Sequence, residues 1–241
     1  MTVRSMKWND ILNDWLTSFL SVIFPNLCGV CGTTLVRGEK VICTTCMFNL
    51  PRMQEEEFEL NSVEKKCFIS GCCVRGTALF KYHRHDSYTS IIKDFKYHGR
   101  KDVAVTMGEI LAKEKSSLGF FSDIDILIPI PMHFLKKARR GYNQAEEIAK
   151  GIKNVTSIPI ANNLIAKKGH TTQTFKSAEE RWRNIENIFA VRNPEQLAGK
   201  HVALIDDVVT TGSTMQHCAM TLRNSIPDIK ISFIALATTE N

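Results

Sequence analysis

The chain has 241 residues, enough for one sizeable core and a small appended module. Its 44% hydrophobic and 23% charged content is ordinary for a soluble globular protein. The net charge of +6 permits binding to phosphates or nucleic acid without demonstrating it.

The first candidate element is Lys7–Phe24, where Trp8, Ile11, Leu12, Trp15, Leu16, Phe19, Leu20 and Ile23 recur at helical spacing. Asp10 and Asp14 interrupt the apolar run, so neither a signal peptide nor a membrane span fits it. An amphipathic docking helix is expected over 1–24, with peripheral membrane attachment as the alternative. No transmembrane segment is expected.

Next come Cys28-Gly-Val-Cys31 and Cys43-Thr-Thr-Cys46, separated by eleven residues. Two CxxC pairs at this spacing predict a tetrahedral four-cysteine zinc module over 25–60, against the competing reading of a redox CxxC. So small a segment needs a metal to supply its stability. Metal ligation in place of disulfides also implies a reducing, cytoplasmic setting. Cys67, Cys72, Cys73 and Cys218 are expected to be buried small hydrophobes, the first three in a strand-like stretch. The acidic run 54–59 reads as the linker to a main domain over 61–241.

After the linker the pattern predicts strand 67–82, helices 86–97 and 101–117, and strand 124–130. It continues with helix 141–153, a short strand near 159–165, strand 202–205, helix 215–225 and strand 229–237. Alternation of this kind implies a mainly parallel sheet flanked by helices, with ligands at the carboxyl ends of the strands. Within it, Phe80 to His85 and Lys93 to Lys101 interleave aromatic residues with cations. That suits stacking on single-stranded nucleic acid, and it equally suits a helix whose aromatics are core.

Three strand ends carry unusual chemistry. At the first, Pro131, Met132 and His133 precede Lys136, Lys137, Arg139 and Arg140, cations that can neutralise a pyrophosphate. Placed before the helix at 141–153 they would oppose its dipole, which points to an external anion as their reason. The alternative is a solvated basic helix start. The second is Lys167-Lys168-Gly169-His170-Thr171-Thr172-Gln173, then a short helix near 178–184, read either as a mobile loop over the site or as a plain surface loop.

The third is His201 to Leu222. The apolar run Val202–Ile205 ends in Asp206 and Asp207; a small polar turn of Thr210, Thr211, Gly212, Ser213 and Thr214 then leads into a helix. In a strand–loop–helix of this kind the loop amides and helix N-terminus converge on one spot suited to a phosphate. The paired carboxylates can accept hydrogen bonds from sugar hydroxyls or hold Mg²⁺. Phosphate, diol and divalent metal together describe 5-phosphoribosyl-1-pyrophosphate. A Walker-B strand looks similar, but no GxxxxGK[ST] occurs in the chain.

These stretches resemble the ComF family of competence-associated, phosphoribosyltransferase-like proteins. The matching features are the N-terminal helix, Cys28/Cys31/Cys43/Cys46, FKYHGR, IPIPMHFLKKARRGYNQA, KKGHTTQT to RWRN, and LIDDVVTTGST. The resemblance implies a type I phosphoribosyltransferase-like fold, α/β with a mainly parallel sheet flanked by helices, behind a small four-cysteine zinc ribbon. It implies Asp206 and Asp207 as the catalytic pair at the ribose, with Mg²⁺, and Thr210 to Thr214 around the 5-phosphate. Pro131, Met132 and His133 would form the pyrophosphate loop with Arg139 and Arg140 nearby, and Lys167 and Lys168 stand where the mobile loop commonly carries arginine. It further implies a pentosyl-transferring enzyme or, alternatively, a non-catalytic adaptor. Its expected partners are single-stranded DNA and the competence machinery.

Overall fold

The computed structural model describes residues 25–54, 60–68, 71, 73–83, 86–132, 134–167 and 188–239, save the side chains of Phe134 and Leu135. The expected N-terminal helix, and the loop and short helix expected over 168–184, lie outside these residues. Contacts divide the chain into two compact units, one ending at Asn49 and one beginning at Leu50.

The first unit is a pair of turns that bring cysteines together. Leu27 pairs with Thr34 in an antiparallel bridge, and the Cys28 amide donates to the Thr33 carbonyl at 2.8 Å. The chain then returns to helix α1, Thr44–Phe48, for which Cys43 is the N-cap. The Glu39 carboxylate clamps this return, accepting from the Thr44 amide at 2.6 Å and the Val36 amide at 2.9 Å.

The second unit is built on a four-stranded parallel sheet of order β1-β6-β5-β2, with β1 Arg75–Tyr82, β2 Ile126–Pro129, β5 His201–Val209 and β6 Lys230–Thr239. The two inner strands are nearly continuous apolar runs, as strands covered on both faces must be. Fully buried Phe80, Phe95 and Phe233 belong to this core, each contributing about 1.5–3 kcal/mol by burial. A separate antiparallel pair, β3 Leu164–Ala166 and β4 Phe189–Val191, flanks the segment that is not described. The sequence pattern predicts no strand at β4.

Helix α2, Ser62–Cys67, ends at the residue where the pattern predicted a strand to begin. Its cause is a capping box: the Asn61 side chain accepts from the amides of Val63 and Glu64 at 3.0 Å, and Glu64 reaches back to the Asn61 amide. The strand proper begins only at Arg75.

Helices α3 (Thr89–Tyr97) and α4 (Lys101–Ser117) follow β1, and α5 (Phe134–Arg140) and α6 (Gln144–Thr156) follow β2. The crossing of α4 and α6 is closed by two glycines. A Cβ on Gly151 would fall 2.1 Å from the Val105 carbonyl, and one on Gly108 2.4 Å from that of Ile148. Helix α7, Ser213–Ser225, joins β5 to β6.

At the amino-terminal edge of the sheet, buried His201 bridges Asp123 and Ser232, with Nδ1 3.1 Å from one and Nε2 2.8 Å from the other. Acid, imidazole and hydroxyl are in line, but Ser232 is fully buried, so the chain of bonds is a cross-tie between β5 and β6.

Candidate functional site

The opposite, carboxyl-terminal ends of β2 and β5 face a cavity of about 530 Å³. Both Asp206 and Asp207 line it. The strand does not stop at them: pairing with β6 runs on through Val209. Asp206 Oδ1 accepts from the Asp207 amide at 2.8 Å. Burial, followed by repulsion from Asp207, pushes the Asp206 carboxyl up from 3.8 to about 7. The other carboxylate is held by a cation, with Lys96 Nζ 2.9 Å from Asp207 Oδ2.

The turn after β5 is shaped by Gly212, whose φ of +77° suits glycine. A Cβ there would also press on the Lys66 carbonyl at 3.0 Å. Ser213 and Thr214 open α7 and line the cavity, so the positive end of a thirteen-residue helix faces it. Thr210 and Thr211 are exposed and, like Gly212, are not among the residues lining it. Thr211 Oγ1 accepts from the Ser213 amide at 3.4 Å, while the Thr210 carbonyl accepts from Thr239 Oγ1 at 3.3 Å. Behind this turn Lys66, buried and with its basicity lowered by that burial, donates to Thr239 Oγ1 at 3.0 Å.

On the β2 side, Asn143 caps α6 through the Ala145 amide at 3.2 Å and donates to the Ile130 carbonyl at 3.0 Å. This fixes the strand end so that Pro131 and Met132 line the cavity; His133 lies outside the described residues. Lys136 and Arg140 line it too, whereas Arg139 is exposed and does not. The basic cluster precedes α6, as expected, but it lies within a helix of its own. Lys137, Arg139 and Arg140 fall in the last turn of α5, where cations complement the dipole, so opposition to a dipole is no argument for an external anion. Lys167 is exposed at the end of β3 and does not line the cavity, and Lys168 lies outside the described residues.

The described part of the basic–aromatic stretch separates into unlike roles. Phe80 and Phe95 are core, and Arg100 pairs with Asp102 at 2.7 Å. Tyr97 is exposed, with the Arg140 guanidinium 5.5 Å from its ring centroid.

In the first unit, the ligand atoms of Cys28, Cys31, Cys43 and Cys46 all lie within 4.8 Å of one another. The Cys43 amide donates to Cys28 Sγ at 3.3 Å, and the Cys46 amide to Cys43 Sγ at 3.4 Å, bonds that orient the two sulfurs. The Thr33 hydroxyl, then its amide, pulls Cys31 down to about 6. A closed, all-sulfur set of four fits Zn²⁺. At the cavity, two carboxylates beside hydroxyls offer hard oxygen donors, a set that fits Mg²⁺.

A family profile described as "phosphoribosyl transferase domain" matches residues 109–239, over half of the chain. Competence protein F of Haemophilus influenzae is 30% identical over 164 residues, which cover 64% of this chain and 70% of that one. The chain belongs to the ComF family of phosphoribosyltransferase-like proteins. The DNA utilization protein YhgH of Shigella flexneri is 29% identical to this ComF-family chain, over 86% of it and 95% of YhgH. A solved enzyme described as the allosteric regulatory enzyme of purine biosynthesis aligns at 18% identity with a TM-score of 0.42. That alignment covers 58% of this chain and only 29% of the longer enzyme.

Lys96, Asn143, Gln144 and His217 of this ComF-family chain also line the cavity, and sequence reasoning gave none of them a place at the site. Asn143 carried a usable signal, an N-cap three residues before Glu146. Lys96 carried none, because its partner is over a hundred positions away and on another element.

Proposed function

We propose that this protein binds 5-phosphoribosyl-1-pyrophosphate with Mg²⁺ in the β2/β5 cavity and transfers its phosphoribosyl group. The carrying observation is the convergence there of Asp206 and Asp207, the α7 N-terminus, and Lys96, Lys136 and Arg140. Ser213, Thr214 and the helix amides would receive the 5-phosphate, with Thr210, Thr211 and Gly212 shaping the turn behind them. The aspartates would hold the ribose hydroxyls and carry Mg²⁺, which would supply charge neutralisation of the departing pyrophosphate. Lys136 and Arg140 would stabilise the same developing charge from the β2 side, beside Pro131 and Met132. The negative side of the cavity favours the oxocarbenium-like centre left at C1.

Zn²⁺ on the four cysteines would hold the first unit together. Relatives named for competence and DNA utilization support a role in handling DNA. Among the described residues no helix is long and apolar enough to cross a membrane. The exposed Tyr97–Arg140 pair supports a second reading, an adaptor that takes single-stranded DNA at the cavity edge. Salt-dependent oligonucleotide binding that Arg140→Ala leaves unchanged would remove the pair from that role.

Calorimetric titration of 5-phosphoribosyl-1-pyrophosphate with Mg²⁺ tests the first reading. Wild type should bind, and the double variant Asp206→Asn/Asp207→Asn should not. No binding to folded, zinc-loaded wild type would overturn the ligand assignment and leave the adaptor.

A further inference from the structure

Lys96 sits where the proposed function has no use for a fixed ion pair. Its helix, α3, is anchored by buried Ile91, Ile92 and Phe95. The Phe95 carbonyl, one residue before Lys96, accepts from the Tyr142 hydroxyl and from Gln144 Nε2 at 3.4 Å. Both donors come from the stretch that opens α6, so the backbone of Lys96 is braced against the cavity wall. Its side chain, 20% exposed, crosses to Asp207 Oδ2 at 2.9 Å. The neighbouring cation Arg100 is engaged elsewhere, by Asp102.

We propose that Lys96 is a resident counter-cation of the aspartate pair, one that yields Asp207 to a divalent metal and then serves the bound diphosphate. The inference rests on the reading of this cavity as a metal–diphosphate site. Mg²⁺ binds an oxygen ligand at about 2.0–2.1 Å. An ammonium on the same oxygen would repel it, so one must leave. Lysine suits the exchange, being a compact charge with rotatable donors on a flexible four-carbon stem. Released from Asp207, the ammonium stays in the cavity it already lines beside Lys136 and Arg140, where diphosphate oxygens are the charge left to meet.

The residue should therefore act in opposite senses, against metal alone and for metal with diphosphate. A purely structural ion pair would move both affinities the same way. The test is calorimetry on the zinc-loaded full chain, with Mn²⁺ alone and then with inorganic pyrophosphate at saturating Mn²⁺. Lys96→Gln is expected to bind Mn²⁺ about tenfold more tightly and pyrophosphate about tenfold more weakly than wild type, the order expected for one charged contact. Shifts of one sign in both, or in neither, would overturn the proposal.

A second measurement needs no variant. Acylation footprinting of wild type should show Lys96 labelled faster with Mn²⁺ and slower again once pyrophosphate is added, and unchanged labelling would overturn the exchange. If wild type binds neither Mn²⁺ nor pyrophosphate, the cavity reading itself fails. If it binds both without the opposed shifts, only the role of Lys96 falls.

Discussion

Replacing Asp206 with asparagine should stabilise this protein, and the gain should depend on pH. Asp206 faces Asp207 from its own strand, Lys96 from α3 and Lys136 from α5, and burial followed by Asp207 holds its carboxyl at about 7 against an ordinary 3.8. Between those values the folded state keeps a proton that the unfolded state has released, so stability falls as pH rises through the window. Above pH 7 the ionised, buried carboxylate costs the fold about 2–4 kcal/mol. An amide keeps the acceptor for the Asp207 amide and carries no charge. Asp206→Asn should therefore melt about 5–12 °C above wild type at pH 8, taking roughly 2–4 °C per kcal/mol for a chain of this size. At pH 4.5 the gap should shrink to about 1 kcal/mol. Scanning calorimetry without added divalent ion, following the transition of the unit beginning at Leu50, reads both values. A gap equal at the two pH values, or a variant that melts lower at pH 8, would refute the reasoning.

Two further outcomes are expected. Gly151→Ala drives a methyl into the Val105 carbonyl where α4 and α6 cross, and should cost about 2–3 kcal/mol in urea unfolding; an unchanged midpoint would mean the helices cross elsewhere. Cys43→Ser removes a sulfur from the cluster while a serine hydroxyl can still cap α1 through the Cys46 amide. Metal analysis should then show about one equivalent of zinc lost, with faster proteolysis before Asn49, and retention of full zinc would put the metal elsewhere.

The alternating layers were legible because buried parallel strands and amphipathic helices carry their periods in the chain itself, as at β5 and α4. The cysteine cluster was legible for a similar reason, since ligand spacing is local. Other features were written in local signals that a periodicity scan passes over. Asn61 followed by Glu64 announced α2, for which the periodicity gave no prediction. Gly141, with φ +79° and its amide on the Lys137 carbonyl at 2.7 Å, marks the end of α5. It could have placed Lys137, Arg139 and Arg140 in the last turn of a helix that ends before α6 begins. The Lys96–Asp207 pair is of another kind. Nothing near either residue specifies the other, and only the packing of α3 beside the end of β5 brings them together.

The position of β6 has a consequence for synthesis. Apart from a single bridge between Arg52 and Phe80, strand β1 among the described residues is paired by residues 230–239, and β6 is also what joins it to β5. While the ribosome works, Arg75–Tyr82 must wait with an apolar edge exposed until nearly all of the described chain has been made. The pairing is of high contact order and therefore slow, so the nascent protein spends that interval open to aggregation. A holding chaperone should raise its yield more than a stabilising mutation in α4 or α6 would.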